Sequence, residues 1–485
     1  MKRLFVQLAV FLFCVTPLFS SEKNLTPKEE YYFLRNAIDR TIQQADPHLN
    51  VGVLVVSLKN GQKLYERNVQ SLFVPASTQK LFTTAAALAI LGNDFRFETS
   101  LFRNQELKQG ILTGDLFLKA SGDPSLVTDD LEDLVFQLSA TGVKEIKGDL
   151  LIDNFDFDNI TLGPGWMWDE GADYWNSPLD ALLVNHSCIT LRIEPAKKVG
   201  LPAQVRITPE IPGVQVRNLA KTDADRKDLQ VTRKWITKEN LIEVTGTIDL
   251  ASSGEEYWIP LESPSLYAAE LLKLLLEKHK IRLSGEIHYT KVPAGATRIA
   301  CHQSAPLSEL ILPVTKQSDN LYANCLFKKM GQLVCNAPGT WQKGSQAVLN
   351  FLADRADIDT SELVILDGDG QSRYNLVSPD QMVSFLKWAK EQFLFFPEFL
   401  SSLPISGVDG TLKGRMTDPS VRGRIRAKTG TMTGISAIAG YATTKDGELL
   451  AFAIMMNGFI KPAQEYKRDL EDQICTLLAN FSREH

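Results

Sequence analysis

Ser77-Thr78-Gln79-Lys80 places a potential nucleophile and a potential base three residues apart. The stretch lies in Phe73-Val-Pro-Ala-Ser-Thr-Gln-Lys-Leu-Phe-Thr-Thr-Ala-Ala-Ala-Leu88, with Pro75 just upstream and Ala-rich sequence running on to Gly92. This predicts a helix whose first turn carries the serine. On a helix, residues three apart share a face, so the Lys80 amine can reach the Ser77 hydroxyl. A free serine is a poor nucleophile and needs an adjacent base. Lysine fills that role only when burial or a neighbouring cation destabilises its ammonium. The start of the helix would also offer a backbone N–H to a developing oxyanion.

The spacing alone is weakly specific, because Ser20 to Lys23 and Ser384 to Lys387 repeat it. Two further motifs single out Ser77. Ser318-Asp319-Asn320 stands at a predicted loop–helix junction, where each residue type also serves as an ordinary cap. Lys428-Thr429-Gly430 falls in a predicted strand, where an exposed lysine also guards an edge and a glycine also marks a bulge. In this order the three permit acyl transfer. Ser77 attacks a carbonyl and Lys80 takes its proton. Ser318 relays that proton to the leaving amine, while Asn320 holds the substrate amide and orients the lysine. Lys428 and Thr429 supply a cation and a hydroxyl for a substrate carboxylate. Gly430 clears room for substrate to lie along the strand as an added strand. The Lys428 charge would also disfavour a charge on Lys80.

The elements that must position these residues come from both ends of the chain. Residues 22–47 read as a helix. Val51–Leu58 and Lys63–Arg67 read as strands joined at Asn60-Gly61, a strong hairpin signal. From Phe97 the pattern turns to strands, at Phe97–Arg103, Gly114–Lys119, Gly148–Asp153, Thr190–Glu194, Gln204–Thr208 and Leu241–Asp249. A helical stretch at 128–140, a Trp-rich loop at 163–174 and a helix after Ser263 interrupt them. From Cys301 helices return, and the chain ends in a strand meander and an amphipathic helix. The expected fold is therefore α/β and multidomain. A discontinuous domain takes residues 22–96 and 301–485, and a mainly β insert with two subdomains takes 97–300. Excursions of this kind are tolerated at surface insertion points.

The chain has 485 residues, 44% hydrophobic and 23% charged, with a net charge of −6 and both signs interspersed. These are ordinary globular values with no basic face for nucleic acid. Met1-Lys-Arg3, the apolar run from Leu4 to Phe13 and the small residues to Ser21 read as a leader, residues 1–21, which sends the protein out of the cytoplasm. No later run is long and apolar enough to span a membrane. Along 462–481, Tyr466, Leu470, Ile474, Leu477, Leu478 and Phe481 form one stripe. Glu465, Lys467, Arg468, Asp469, Glu471 and Asp472 form a mixed-charge opposite face, which predicts docking on the protein's own core. Five of six cysteines remain after the leader, an odd number; Cys325 and Cys335 are a candidate pair. The scattered histidines and the absence of Cys-x-x-Cys predict neither metal nor cofactor.

The ordered trio resembles the serine penicillin-recognising enzymes. The chain is most similar to the class C low-molecular-mass penicillin-binding proteins, the D-alanyl-D-alanine carboxypeptidase/endopeptidases of peptidase family S13. Supporting stretches are Leu403-Pro-Ile-Ser-Gly-Val-Asp-Gly-Thr-Leu412, Asp367-Gly-Asp-Gly-Gln-Ser-Arg373 and Ala439-Gly-Tyr441, together with the long gap between Ser77 and Ser318. The resemblance implies a β-lactamase/transpeptidase-like domain of antiparallel sheet flanked by helices. It implies an extracytoplasmic or periplasmic serine hydrolase acting on peptidoglycan stem peptides and acylated by β-lactams. Ser77 would be acylated, Lys80 would be the base, and Ser318, Asn320, Lys428, Thr429 and Gly430 would complete the site. Backbone N–H groups of Ser77 and Thr431 would form the oxyanion hole. Trp166, Asp169, Tyr174, Arg373 and Met432 would line a pocket for a diaminopimelate-type side chain, and Thr433 stands where some relatives carry serine. The alternatives are a β-lactamase or esterase on the same scaffold, or a non-catalytic wall-binding module.

Overall fold

The computed structural model describes residues 27–46, 48–167, 170–171, 173–234 and 236–483. The leader and Asp169 lie outside the described residues. Five antiparallel strands make the central sheet, in the order Lys63–Arg67, Asn50–Ser57, Leu449–Asn457, Ile435–Thr443 and Ile425–Met432. Strands from the two ends of the chain are thus neighbours, with Asn50 opposite Asn457.

Side chains alternate across a strand, and here both faces are covered. Leu54, Val56, Ala451, Ala453 and Met455 face a layer containing helices Lys80–Leu91, Asn320–Cys335, Trp341–Ala356 and Pro379–Lys390. Val53, Val55, Leu450, Phe452 and Ile454 face the helix Pro27–Ala45 and the C-terminal helical segment. That double cover explains why Leu449–Asn457 reads as a continuous apolar run. Tyr466, Leu470, Ile474, Leu478 and Phe481 are buried against this second face. The C-terminal stripe therefore docks on the protein's own core.

The chain leaves this body after Phe97 and returns after Gln303. Between them, among the described residues, are five sheets of two to five strands and the helices Thr128–Ala140 and Pro264–Lys278, around one cluster of buried, mostly aliphatic residues. Leu116–Ala120 runs parallel to Leu150–Asp153, with a helix as the crossover. The strand Thr297–Gln303 closes the excursion by pairing with Glu98–Arg103, Gln303 opposite Glu98. Ala300 lies inside that strand. Leu241–Asp249 was expected as one strand and is two, broken at Gly246, whose φ of +87° sets the bend. The five described cysteines are free thiols, so Cys325 and Cys335 are not paired. Among the described residues no helix is long and apolar enough to cross a membrane.

Candidate active site

Ser77 stands on a 3₁₀ turn, Ala76–Gln79, and the α-helix begins only at Lys80. The serine was expected inside the first α-helical turn. The 3₁₀ turn delivers the same pairing more directly, since it has three residues per turn and eclipses positions i and i+3. Ala76, buried with φ +47°, starts the turn, and the Thr78 hydroxyl donates back to Pro75 O at 2.7 Å. Two glycines hold the turn from outside. A Cβ on Gly370 would lie 1.9 Å from Ala76 O, and one on Gly430 would lie 2.8 Å from Pro75 O and 2.9 Å from Ser77 N. The missing side chain of Gly430 therefore lets its strand close on the serine turn, a different reason from the one the motif suggested.

Lys80 has no exposed surface. Its Nζ donates to Ser77 Oγ at 2.8 Å, to Asn320 Oδ1 at 2.7 Å and to the Asp369 carbonyl at 2.9 Å. Burial lowers its pKa, while Asp369, Asp319 and Asp367 oppose the shift. The expected depression by Lys428 is not among these causes; desolvation supplies it instead.

Ser318 follows a π-helical turn, Pro313–Gln317, and adopts φ +65°. Asp319 then caps the helix Asn320–Cys335, accepting from Tyr322 N at 3.0 Å, and lies 3.0 Å from His186 Nε2. Lys428 Nζ donates to Ser318 Oγ at 2.8 Å and to the Thr429 carbonyl at 2.7 Å. Lys428 is also fully buried. Burial, Lys80 and Lys467 together push its pKa well below the usual lysine range. Thr429 Oγ1 meets Thr411 Oγ1 at 2.7 Å. The strand Ile425–Met432 is a sheet edge, partly covered near Ala427 by Pro404 and Ile405.

Two cavities meet at Ser77. The first, about 260 Å³, is lined by Ser77, Glu170, Trp175, Asn320, Gly370, Gln371, Thr431, Met432 and Thr433. The second, about 430 Å³, is lined by Ser77, Ser318, Thr411, Gly414, Arg415, Thr429, Thr431, Gln464 and Lys467. Ser77 and Thr431, the expected oxyanion donors, line both. Arg373 stands at the rim of the first cavity, with Nη1 donating to Thr433 O at 3.2 Å.

Trp166 and Tyr174 take other positions. The Trp166 indole N–H donates to Asp367 Oδ2 at 2.9 Å, and its ring packs edge-on against Trp341, with centroids 5.6 Å apart. It ties the Trp-rich loop to the helical layer rather than lining the cavity. Tyr174 is exposed and packs against Trp175 and Trp258, so the neighbouring Trp175 is the aromatic that faces the cavity.

Several residues at the site carried no sequence signal of their own. Gln371 Oε1 accepts from Asn320 Nδ2 at 3.1 Å, while its Nε2 donates to Glu170 at 2.6 Å and Asn176 at 2.9 Å. Both Gln371 and Asp369 sit in the Asp367–Arg373 turn cluster, which was the one available hint.

The two Ser–Lys contacts meet at one cleft, on a mixed α/β body whose antiparallel sheet is flanked by helices. The chain belongs to the D-Ala-D-Ala carboxypeptidase 3 (S13) family, whose pattern matches residues 34–481. It is 34% identical to the D-alanyl-D-alanine carboxypeptidase of Actinomadura sp. (strain R39) over 475 residues, covering 93% of this chain and 85% of the relative. It is 30% identical to the D-alanyl-D-alanine carboxypeptidase DacB of Haemophilus influenzae over 413 residues, covering 84% and 86%. The crystal structure of penicillin-binding protein 4 (dacB) from Haemophilus influenzae matches at a TM-score of 0.80 and 28% identity, covering 91% of this chain and 97% of that one.

Proposed function

We propose that this serine carboxypeptidase is exported and cleaves the peptide bonds of peptidoglycan stems through an acyl-enzyme on Ser77. Ser77 Oγ attacks the carbonyl carbon of the penultimate D-alanine, and its proton passes to Lys80 Nζ. Backbone N–H groups of Ser77 and Thr431 take the oxyanion. The C–N bond breaks, and the leaving amine receives a proton through Ser318, which Lys428 holds. Water then releases the acyl group and restores Ser77. A terminal D-alanine as leaving group gives carboxypeptidase activity; a cross-linking diaminopimelate gives endopeptidase activity. The Glu170–Trp175–Gln371 cavity with Arg373 at its rim, and with Asp169 nearby in sequence, takes the acyl-donor side chain. β-Lactams acylate the same serine, as the complex of the Haemophilus influenzae relative with a β-lactam supports.

The observation that carries this reading is the fully buried Lys80 amine 2.8 Å from the Ser77 hydroxyl. A labelled penicillin incubated with wild type and with Ser77→Ala tests it. Wild type alone should be labelled; equal labelling of both proteins would sink the assignment. Mass analysis of muropeptides before and after incubation separates the two peptidase activities, and rapid repeated turnover of the β-lactam would point to a β-lactamase instead.

A further inference from the structure

The second cavity at Ser77 contains an ammonium that the acyl-transfer scheme does not use. Lys467 lies in the C-terminal helical segment, where it reads in sequence as part of a solvated polar face. It instead opens a π-helical turn, Lys467–Glu471, and lines the cavity with Ser77, Ser318, Thr411 and Thr429. Turns of this type inside α-helices recur at functional positions. Here the turn also fixes Glu471, whose carboxylate is fully buried between Ser436 Oγ and Arg415.

Beside Lys80, the buried partner of Ser77, Lys428, Arg415 and Lys467 stand at or next to this cavity and differ in what they can offer a ligand. Lys428 is fully buried and already donates to Ser318 and to the Thr429 carbonyl. Arg415 is spent on two carboxylates, with contacts of 2.8 Å to Glu471 and 2.7 Å to Asp472. Lys467 is half-buried, and among the described residues its Nζ has neither a hydrogen bond nor an ion pair. Burial lowers its pKa, with Glu471 working against that shift. A half-buried ammonium without a partner is costly unless a ligand supplies the anion.

We infer that Lys467 is the cation that reads the free C-terminal carboxylate of the leaving D-alanine, beside the paired hydroxyls of Thr411 and Thr429. The role first assigned to the Lys428 amine thus passes to a residue from the far end of the chain. The inference rests on the proposed peptidase reading. In that reading the acyl side of the scissile bond occupies the smaller cavity and the leaving group occupies this one. Lys467 then sets specificity, favouring substrates that end in a carboxylate over substrates that continue or end in an amide.

The test compares an acyl-D-Ala-D-Ala peptide with its C-terminal amide, using the full chain. Wild type should prefer the acid. Lys467→Gln should lower kcat/KM for the acid by about 10- to 100-fold, the size expected for one charge-assisted hydrogen bond, and leave the amide nearly unchanged. Lys467→Arg should restore the preference. Equal falls on both substrates, or no fall on the acid, would overturn the inference, and a thermal melt identifies a variant that fails to fold. Calorimetry with Ser77→Ala and Ser77→Ala/Lys467→Gln gives the same comparison as binding of acid against amide. If wild type cleaves neither peptide, the peptidase reading falls, while the binding arm still decides whether Lys467 holds the carboxylate.

Discussion

The two sides of the cleft each bury a lysine completely and each give it a serine hydroxyl at 2.8 Å, yet the surroundings differ. On the Ser77 side, Lys80 also has the Asn320 amide oxygen and the Asp369 carbonyl, and three carboxylates pull its pKa back up against burial. On the Ser318 side, among the described residues, Lys428 has its neighbour's carbonyl as its second acceptor, and two cations push in the same direction as burial. In the proposed scheme the Lys80 side holds a proton after receiving it, and the Lys428 side helps Ser318 pass one on. Equal depth therefore does not make equal chemistry; the sign of the neighbouring charges separates a proton sink from a relay.

The sharpest break of that comparison is an exchange of each lysine for arginine. Guanidinium cannot give up its proton, so Lys80→Arg should lower the rate of acylation by a chromogenic β-lactam by about 10²- to 10⁴-fold, the usual contribution of a general base. Lys428→Arg keeps a donor for Ser318 Oγ and should retain more activity. Stopped-flow acylation rates with matched thermal melts measure both. Equal losses would erase the division between sink and relay.

Much of this site can be read from the sequence because its chemistry is local. Ser77 and Lys80 lie one turn apart, Ser318-Asp319-Asn320 forms a single cap, and Lys428-Thr429-Gly430 occupies one strand. Ser384 and Lys387 share the spacing, but Lys387 is exposed on the helix Pro379–Lys390, so burial, not spacing, separates it from Lys80. The rest was hidden for physical reasons. Two-residue strands such as Glu145–Ile146 and Arg282–Leu283 form through partners distant in sequence. Trp166 could have lined a pocket or anchored a loop, and only the position of Asp367 shows the anchor. Lys467 shares a sequence pattern with solvated residues, and a π-helical turn, which periodicity does not register, brings it into the cleft.

A finer test acts on the carboxylates alone. Asp369→Asn keeps the backbone carbonyl that accepts from Lys80 and removes a carboxyl that stabilises the ammonium when ionised; burial and Asp367 push that carboxyl's own pKa well up, so the effect is confined to the pH range in which Asp369 has lost its proton. The sign follows directly: with less opposition to burial, the Lys80 pKa falls further, and the amine is neutral at lower pH. The acid limb of the acylation pH profile should therefore move to lower pH. Lys80 is one of the cations that push Lys428 down, so a Lys80 that is neutral at lower pH relieves Lys428, and any limb that belongs to Lys428 should move the opposite way, to higher pH. Movement of the acid limb to higher pH would show that the carboxylate does not act on Lys80 in this way.

The smallest expected effect concerns the scaffold shared by both sides. Asp367 accepts from Gly370 N at 3.0 Å, Ser372 N at 2.6 Å and Asn375 Nδ2 at 2.7 Å, and Trp166 Nε1 adds a fourth contact at 2.9 Å. Trp166→Phe removes only that last donor. Three contacts still satisfy the buried carboxylate, so the cost should stay near the low end for a bond to a charged group, about 1–2 kcal/mol in urea unfolding. The Ser77 turn leans on Gly370 and not on the Trp-rich loop, so acylation by a β-lactam should remain within a few-fold of wild type. A large loss of acylation with unchanged stability would instead give the Trp166 ring a direct place against the substrate.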